Sequence, residues 1–268
     1  MTLFQKTVKY CAMAFAIFLI VSIFSGIFGV FGLFNGFFGE KGILEESKTY
    51  PVSGEINELE IEIAAAKLVV KKTDSFSVES NLKNLSVKEN GNKLTVKDKK
   101  MFGGVLNDAS VTICIPEDTV FEFLSVKTGA GRLIADILSA ERLELELGAG
   151  EVVIGELTAL ASAEIEGGAG KITVSDGKLK DLDLAMGVGR LELCAELLGE
   201  SDLELGVGES DLTLLGKKED YTVDIEKGLG SIRFDGENLS KGGKQGNGPA
   251  RLDIEGGVGA ICLDFKEK

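Results

Sequence analysis

A Gly-x-Gly step recurs along this chain at nearly constant spacing, and no other feature limits the possible folds as tightly. Gly129-Ala-Gly131, Gly148-Ala-Gly150, Gly168-Ala-Gly170, Gly187-Val-Gly189, Gly206-Val-Gly208, Gly228-Leu-Gly230 and Gly257-Val-Gly259 are seven copies. Successive first glycines lie 19, 20, 19, 19, 22 and 29 residues apart. Ala64-Ala65-Ala66 occupies the same setting with alanines in the glycine places. A period near 20 residues marks a repeat architecture, in which each unit buries its apolar side against its neighbours.

The repeat predicts which side chains form the core. Three residues before each step stand Ile61, Val126, Leu145, Ile165, Leu184, Leu203, Ile225 and Ile254, all apolar. Two and four residues after it stand Leu68/Val70, Leu133/Ala135, Val152/Ile154, Ile172/Val174, Leu191/Leu193, Ser210/Leu212, Ile232/Phe234 and Ile261/Leu263, with Ser210 the only polar member. Alternation with period two puts residues of one parity on one face of a strand. Glycine suits the corner between the two segments, because it accepts positive φ and has no Cβ to collide where strands stack closely.

The outward positions of the incoming segment are equally regular. Four residues before the first glycine lie Glu60, Ser125, Glu144, Glu164, Asp183, Asp202, Asp224 and Asp253. Two before it lie Glu62, Lys127, Glu146, Glu166, Ala185, Glu204, Glu226 and Glu255. In the last six copies, eleven of these twelve positions are acidic. Parallel, in-register strands would set like residues about 4.8 Å apart, giving two adjacent ladders of carboxylates. Glu144, Glu146, Glu164, Glu166, Asp202, Glu204, Asp224, Glu226, Asp253 and Glu255 are therefore the candidate cation-binding face. Its ligand would be loosely held Ca²⁺ or Mg²⁺, a cationic peptide or a wall polymer. The same rows also read as a solvated face, relieved by salt and by neighbours such as Lys171, Arg190 and Lys227.

The N-terminal segment is different material. Lys6 and Lys9 are the only charges before Glu40, and Tyr10 to Gly39 is an uncharged run of 30 residues rich in Phe, Ile and Gly. About 20 apolar residues suffice to span a bilayer as a helix. The expectation is a short cytoplasmic N-terminus at 1–9, one transmembrane helix at 10–34 and a linker at 35–51, with Pro51 blocking helix continuation. The positive flank places the C-terminal part outside, in a single-pass cell-membrane protein with an extracytoplasmic domain. Ser22, Gly26, Gly29, Gly32 and Gly36 fall near one helix face, a spacing that allows close helix pairing and a homo-oligomer.

Residues 52–119 read as β-strands capping the N-terminal end of the repeats. Within them Leu85 to Val96, broken by Asn90-Gly91-Asn92, has the pattern of a hairpin. Residues 120–265 hold the strong repeats, with the SKGGKQGNGP segment at 240–249 read as a flexible inserted loop. The fold class expected is all-β: a parallel β-solenoid of about 20-residue coils with Gly-x-Gly corners, preceded by the membrane helix.

Val111-Thr-Ile-Cys-Ile-Pro116, then a strand, then Lys127-Thr-Gly-Ala-Gly131 and serial Gly-x-Gly repeats resemble the bacterial putative-adhesin β-strand-repeat family. The resemblance covers about residues 52–265. It implies a membrane-anchored β-solenoid domain of unknown function at the cell surface, and it supplies no catalytic residues.

Chemistry is bounded mainly by what is missing. The chain contains no histidine, so it lacks His-dependent nucleophile systems and the imidazole metal ligand. Cys11, Cys114, Cys194 and Cys262 form no CxxC pair. A formal charge of −14 excludes nucleic acid as a partner. The Gly-x-Gly steps open strands and not a helix, so they are no dinucleotide loop. No cofactor is implied. The functional expectation is a non-enzymatic surface protein interacting through its acidic face with envelope proteins, cationic peptides or wall polymers. The alternatives are an envelope-stress regulator acting through a protein partner and, remotely, a polysaccharide-active β-helix enzyme.

Overall fold

The computed structural model describes residues 44–98 and 108–267. The membrane helix expected over 10–34 and its glycine face lie outside the described residues. Among the described residues no helix is long and apolar enough to cross a membrane.

The structure is all-β, with a single 3₁₀ turn at Lys218–Asp220 among the described residues. The strands are β1 (Leu44–Pro51), β2 (Glu58–Thr73), β3 (Ser77–Leu82), β4 (Leu85–Asn90), β5 (Lys93–Asp98), β6 (Ser110–Pro116), β7 (Phe121–Lys180), β8 (Leu182–Leu198), β9 (Glu200–Leu215), β10 (Tyr221–Glu226), β11 (Leu229–Phe234), β12 (Glu237–Leu239), β13 (Gly243–Gly246) and β14 (Ala250–Lys266). They form one sheet in the order β1-β3-β6-β2-β7-β8-β9-β14-β10-β13. From β2 to β10 neighbours run parallel, and corresponding positions of the repeat face one another: Leu184 pairs with Leu203, and Gly189 with Gly208.

Periodicity alone identifies the core. All eight residues three before the step are 1% exposed or less, and the pairs after it are all buried. Ser210, the one polar member, is buried with them at 6% exposure, so column position overrides residue type. Each such aliphatic side chain contributes about 1.5–3 kcal/mol on burial, and stacking makes the contribution recur in every repeat. A further inward set, not marked by the glycines, continues the core through Leu138, Ala140, Leu157, Ala159, Leu179, Ala195, Leu197 and Leu214.

The two glycines of a step are required for different reasons. A Cβ on the first, as at Gly148, would overlap the carbonyl oxygen of Gly129 in the adjacent repeat. The second meets the same obstruction and also has positive φ, 146° at Gly208, which L side chains rarely adopt. Ala64 and Ala66 escape both constraints. On that side β2 pairs with β5 over Glu58–Glu62 and with β6 over Lys67–Thr73, and no pairing covers the corner between them. Ala66 turns it without positive φ.

Two sequence expectations are corrected here. The linker expected over 35–51 is strand in its second half: β1 pairs antiparallel with β3, because the free edge of β3 would otherwise leave backbone groups unpaired. The flexible loop expected at 240–249 contains β13, which pairs antiparallel with β10 over Thr222–Ile225. Its glycines serve close approach: a Cβ at Gly242 would overlap Ile225 O, and one at Gly248 would overlap the Asp220–Tyr221 peptide. Together β12 and β13 cover the edges of β11 and β10.

The stacking order also departs from chain order. β14, last in sequence, lies between β9 and the β10/β11 repeat. The chain leaves β9, builds the end repeat first, then returns to fill the gap.

Candidate acidic interaction face

The candidate carboxylates sit on the incoming segment of each repeat, alternating with the buried column. Glu146, Glu164, Glu166, Asp202, Glu204, Glu226, Asp253 and Glu255 are exposed, and Glu144 and Asp224 are half-buried. Strand register brings them into two lines. One runs Glu164, Asp183, Asp202, Asp253, Asp224; the other runs Glu166, Ala185, Glu204, Glu255, Glu226. Gly148 stacks between Gly129 and Gly168, which sets Glu144 and Glu146 beside Glu164 and Glu166. Asp183 was outside the candidate set and completes the first line; its repeat position was the signal that could have included it. The Asp253–Glu255 pair lies between Asp202–Glu204 and Asp224–Glu226, an order that chain sequence does not reveal.

The cations proposed to relieve these lines do not reach them. Lys171 pairs with Glu192 at 2.9 Å. Arg190 pairs with Glu192, Glu209 and Asp211 at 2.8, 3.2 and 2.7 Å. Both serve the outgoing segment, beyond the corner. Their effect registers there: the Lys171 hydrogen bond holds the Glu192 carboxyl below its ordinary pKa. Lys227 occupies the inward-facing position held by Leu147, Met186 and Leu205 in other repeats, and is half-buried.

Lysines instead meet the ladders at one end. On β5, Lys93 pairs with Glu60 at 2.5 Å and Lys97 with Glu62 at 3.1 Å. Lys127 donates to Glu146, and that hydrogen bond raises the Lys127 pKa. At the other end β13 sets Lys244 opposite Asp224 in backbone register, without an ion pair between them. Beyond the lysine-paired end, Glu164, Glu166, Asp183, Asp202, Glu204, Asp253, Glu255, Asp224 and Glu226 make no ion pair among the described residues. Adjacent like charges about 5 Å apart repel by roughly 1 kcal/mol in water before salt screening.

The arrangement does not resemble a metal cage. Among the described residues no three acidic or sulfur ligands are grouped to hold an ion; ladder carboxylates project side by side, whereas Ca²⁺ takes six to eight converging oxygens. Two crevices at the glycine corners have volumes of about 30 and 20 Å³, room for a water or two. Cys114, Cys194 and Cys262 are half-buried thiols, and burial pushes the Cys262 pKa up.

The family model described as Toastrack, DUF4097, matches residues 56–242, from the first strand of the repeat stack to the segment that covers its far end. The chain belongs to this family. A search of curated proteins finds no match. Among solved structures, a putative cell adhesion protein from Clostridium sporogenes ATCC 15579 is 15% identical, covering 82% of this chain and 99% of its own, with a TM-score of 0.34. A putative adhesin from Bacteroides fragilis NCTC 9343 is 15% identical, covering 81% and 95%, with a TM-score of 0.44. Another from Parabacteroides distasonis ATCC 8503 is 14% identical, covering 83% and 98%, also at 0.44. At these scores the solved structures add nothing to the geometry above. The Toastrack match covers the repeats from β2 to β11 and stops short of β14, which carries Asp253 and Glu255.

Proposed function

We propose that this Toastrack chain is a non-enzymatic protein of the cell surface whose acidic face engages a cationic partner. In this reading its sheet winds as a parallel β-solenoid, anchored in the cell membrane by the helix at 10–34 with the repeats extracytoplasmic. The winding is supported by in-register parallel pairing between segments about one repeat apart, such as Asp183 with Asp202. One observation carries the functional reading: the chain's own lysines pair with the ladders only at the end nearest β5, and the nine carboxylates beyond, Glu164 to Glu226 in stacking order, are bare. Side-by-side carboxylates favour a polycation, a peptide or an amine-bearing wall polymer, over a single metal ion.

The test is titration with oligolysine at low and high salt. Wild-type protein should bind saturably, and binding should weaken steeply with salt. The Asp202→Asn/Glu204→Gln/Asp253→Asn/Glu255→Gln variant, which clears one contiguous block, should lose at least tenfold in affinity. Unchanged binding by that variant would sink the acidic-face reading. Protease accessibility of the repeats on intact cells checks the orientation.

A further inference from the structure

The middle residues of the Gly-x-Gly steps form a line of their own. In stacking order it reads Ala65, Ala130, Ala149, Ala169, Val188, Val207, Val258, Leu229, so bulk grows toward the end repeat. The last four make an exposed apolar ridge: Val188 is 37% exposed, Val258 43% and Leu229 58%, with Val207 half-buried between its neighbours. Glycines on both sides leave these side chains standing clear of the backbone. The core needs none of them, since each projects away from it. One flank of the ridge, three residues back in every repeat, is Ala185, Glu204, Glu255 and Glu226, part of the bare ladder.

We infer that this ridge and its acidic flank dock a cationic amphipathic α-helix of a partner protein. Charge complementarity requires cations beside the partner's apolar stripe. It disfavours a second copy of this chain, which would bring acidic line against acidic line, and an anionic lipid surface. Spacing selects the helix. Ridge residues repeat about every 4.8 Å, so the four span roughly 14 Å. Helix residues three or four apart rise about 4.5–6 Å, so one stripe of roughly ten residues matches all four. An extended strand presents a side chain to one face only every 6.6 Å or so and drifts out of step after two contacts. Strand addition is closed as well at Val188, Val207 and Val258, each flanked by paired strands on both sides.

This inference rests on the acidic-face reading, and the experiment separates the two. Three probes are titrated against the full chain in zwitterionic nanodiscs, with empty discs as the blank. They are an 18-residue Leu/Lys peptide with Leu on one helical stripe, a scrambled peptide of identical composition, and oligolysine. The variants are Val188→Thr/Val207→Thr/Val258→Thr/Leu229→Gln, the single Leu229→Gln in case the quadruple unfolds, and Glu204→Gln/Glu255→Gln/Glu226→Gln. The expected result is that the stripe peptide binds at least tenfold tighter than the scrambled one and gains helicity on binding. The ridge quadruple should remove that advantage while oligolysine binding is unchanged, Leu229→Gln should weaken the stripe peptide severalfold, and the glutamine triple should weaken all three probes. Equal binding of stripe and scrambled peptides, or a folded ridge variant that binds the stripe peptide as wild type, would overturn the helix inference while leaving the acidic face standing. Failure of every probe to bind would overturn both.

Discussion

Each repeat carries two outward faces a few residues apart, joined at the Gly-x-Gly corner, and they handle charge in opposite ways. On the incoming face carboxylates recur at the same two positions, and parallel register sets acid against acid from Glu164 to Glu226 in stacking order, interrupted only by Ala185. On the outgoing face the two signs are mixed: Lys171 stands beside Arg190 and Glu192 beside Asp211, yet bases and acids of adjacent repeats reach one another. Arg132 meets Glu151 at 2.9 Å, Arg190 meets Glu209, and Arg233 meets Asp264 at 3.0 Å. In-register stacking multiplies whatever a position holds: a uniform column accumulates repulsion, and a mixed column neutralises itself. The self-neutralised face needs no partner, whereas the uniform face leaves its charge available to one.

The comparison can be broken hardest at the corner that both faces share. Gly208→Ala places a Cβ against the backbone of Gly189 at a φ of 146°, so it should destabilise the protein by about 3 kcal/mol or more; Ala66→Gly, at the uncovered corner, should cost far less. Chemical denaturation of the pair decides it, and equal losses would mean the corner is not what holds the repeats apart. Next in size, Arg190→Glu turns the hub of three ion pairs into a like charge and makes the outgoing face imitate the incoming one. Its melting temperature should fall by about 2–4 °C at low salt and recover at high salt. The reverse experiment neutralises the ladder block at 202, 204, 253 and 255, which should raise stability by about 1 kcal/mol at low salt and leave it unchanged at high salt. The smallest effect concerns acid pH. Glu192 has its folded pKa lowered, so its contribution is complete above the ordinary carboxylate range and is lost as pH falls through the lower folded value. Wild type should therefore lose slightly more stability than Glu192→Gln on acidification, as followed by thermal melts across that range.

Much of the fold was legible because the period labels each residue. Val126, Leu145 and Ile165 were identifiable as core from their distance to a glycine, and so was the outward direction of Glu146 and Glu166. The hairpin at β4–β5 announced itself through Asn90-Gly91, where Gly91 takes a φ of 62°. The partners of charged side chains were not legible. Lys171 and Arg190 lie within a few residues of the ladder in sequence, yet they point along the outgoing segment to Glu192, Glu209 and Asp211. The 240–249 segment misled for a related reason: glycine signals both freedom and close approach, and only the nearby Ile225 carbonyl distinguishes them.

The sequence by itself determined the repeat, its inward and outward columns, and the existence of two carboxylate lines, because a period of side-chain character maps directly onto the faces of stacked strands. The stacking order was decided only in three dimensions. Asp202, Asp224 and Asp253 hold equivalent positions, so either order of the last two repeats builds the same ladders and buries the same columns. What separates the two orders is the pairing of β12 and β13 with the free edges of β11 and β10, a contact between backbones that no side-chain pattern encodes.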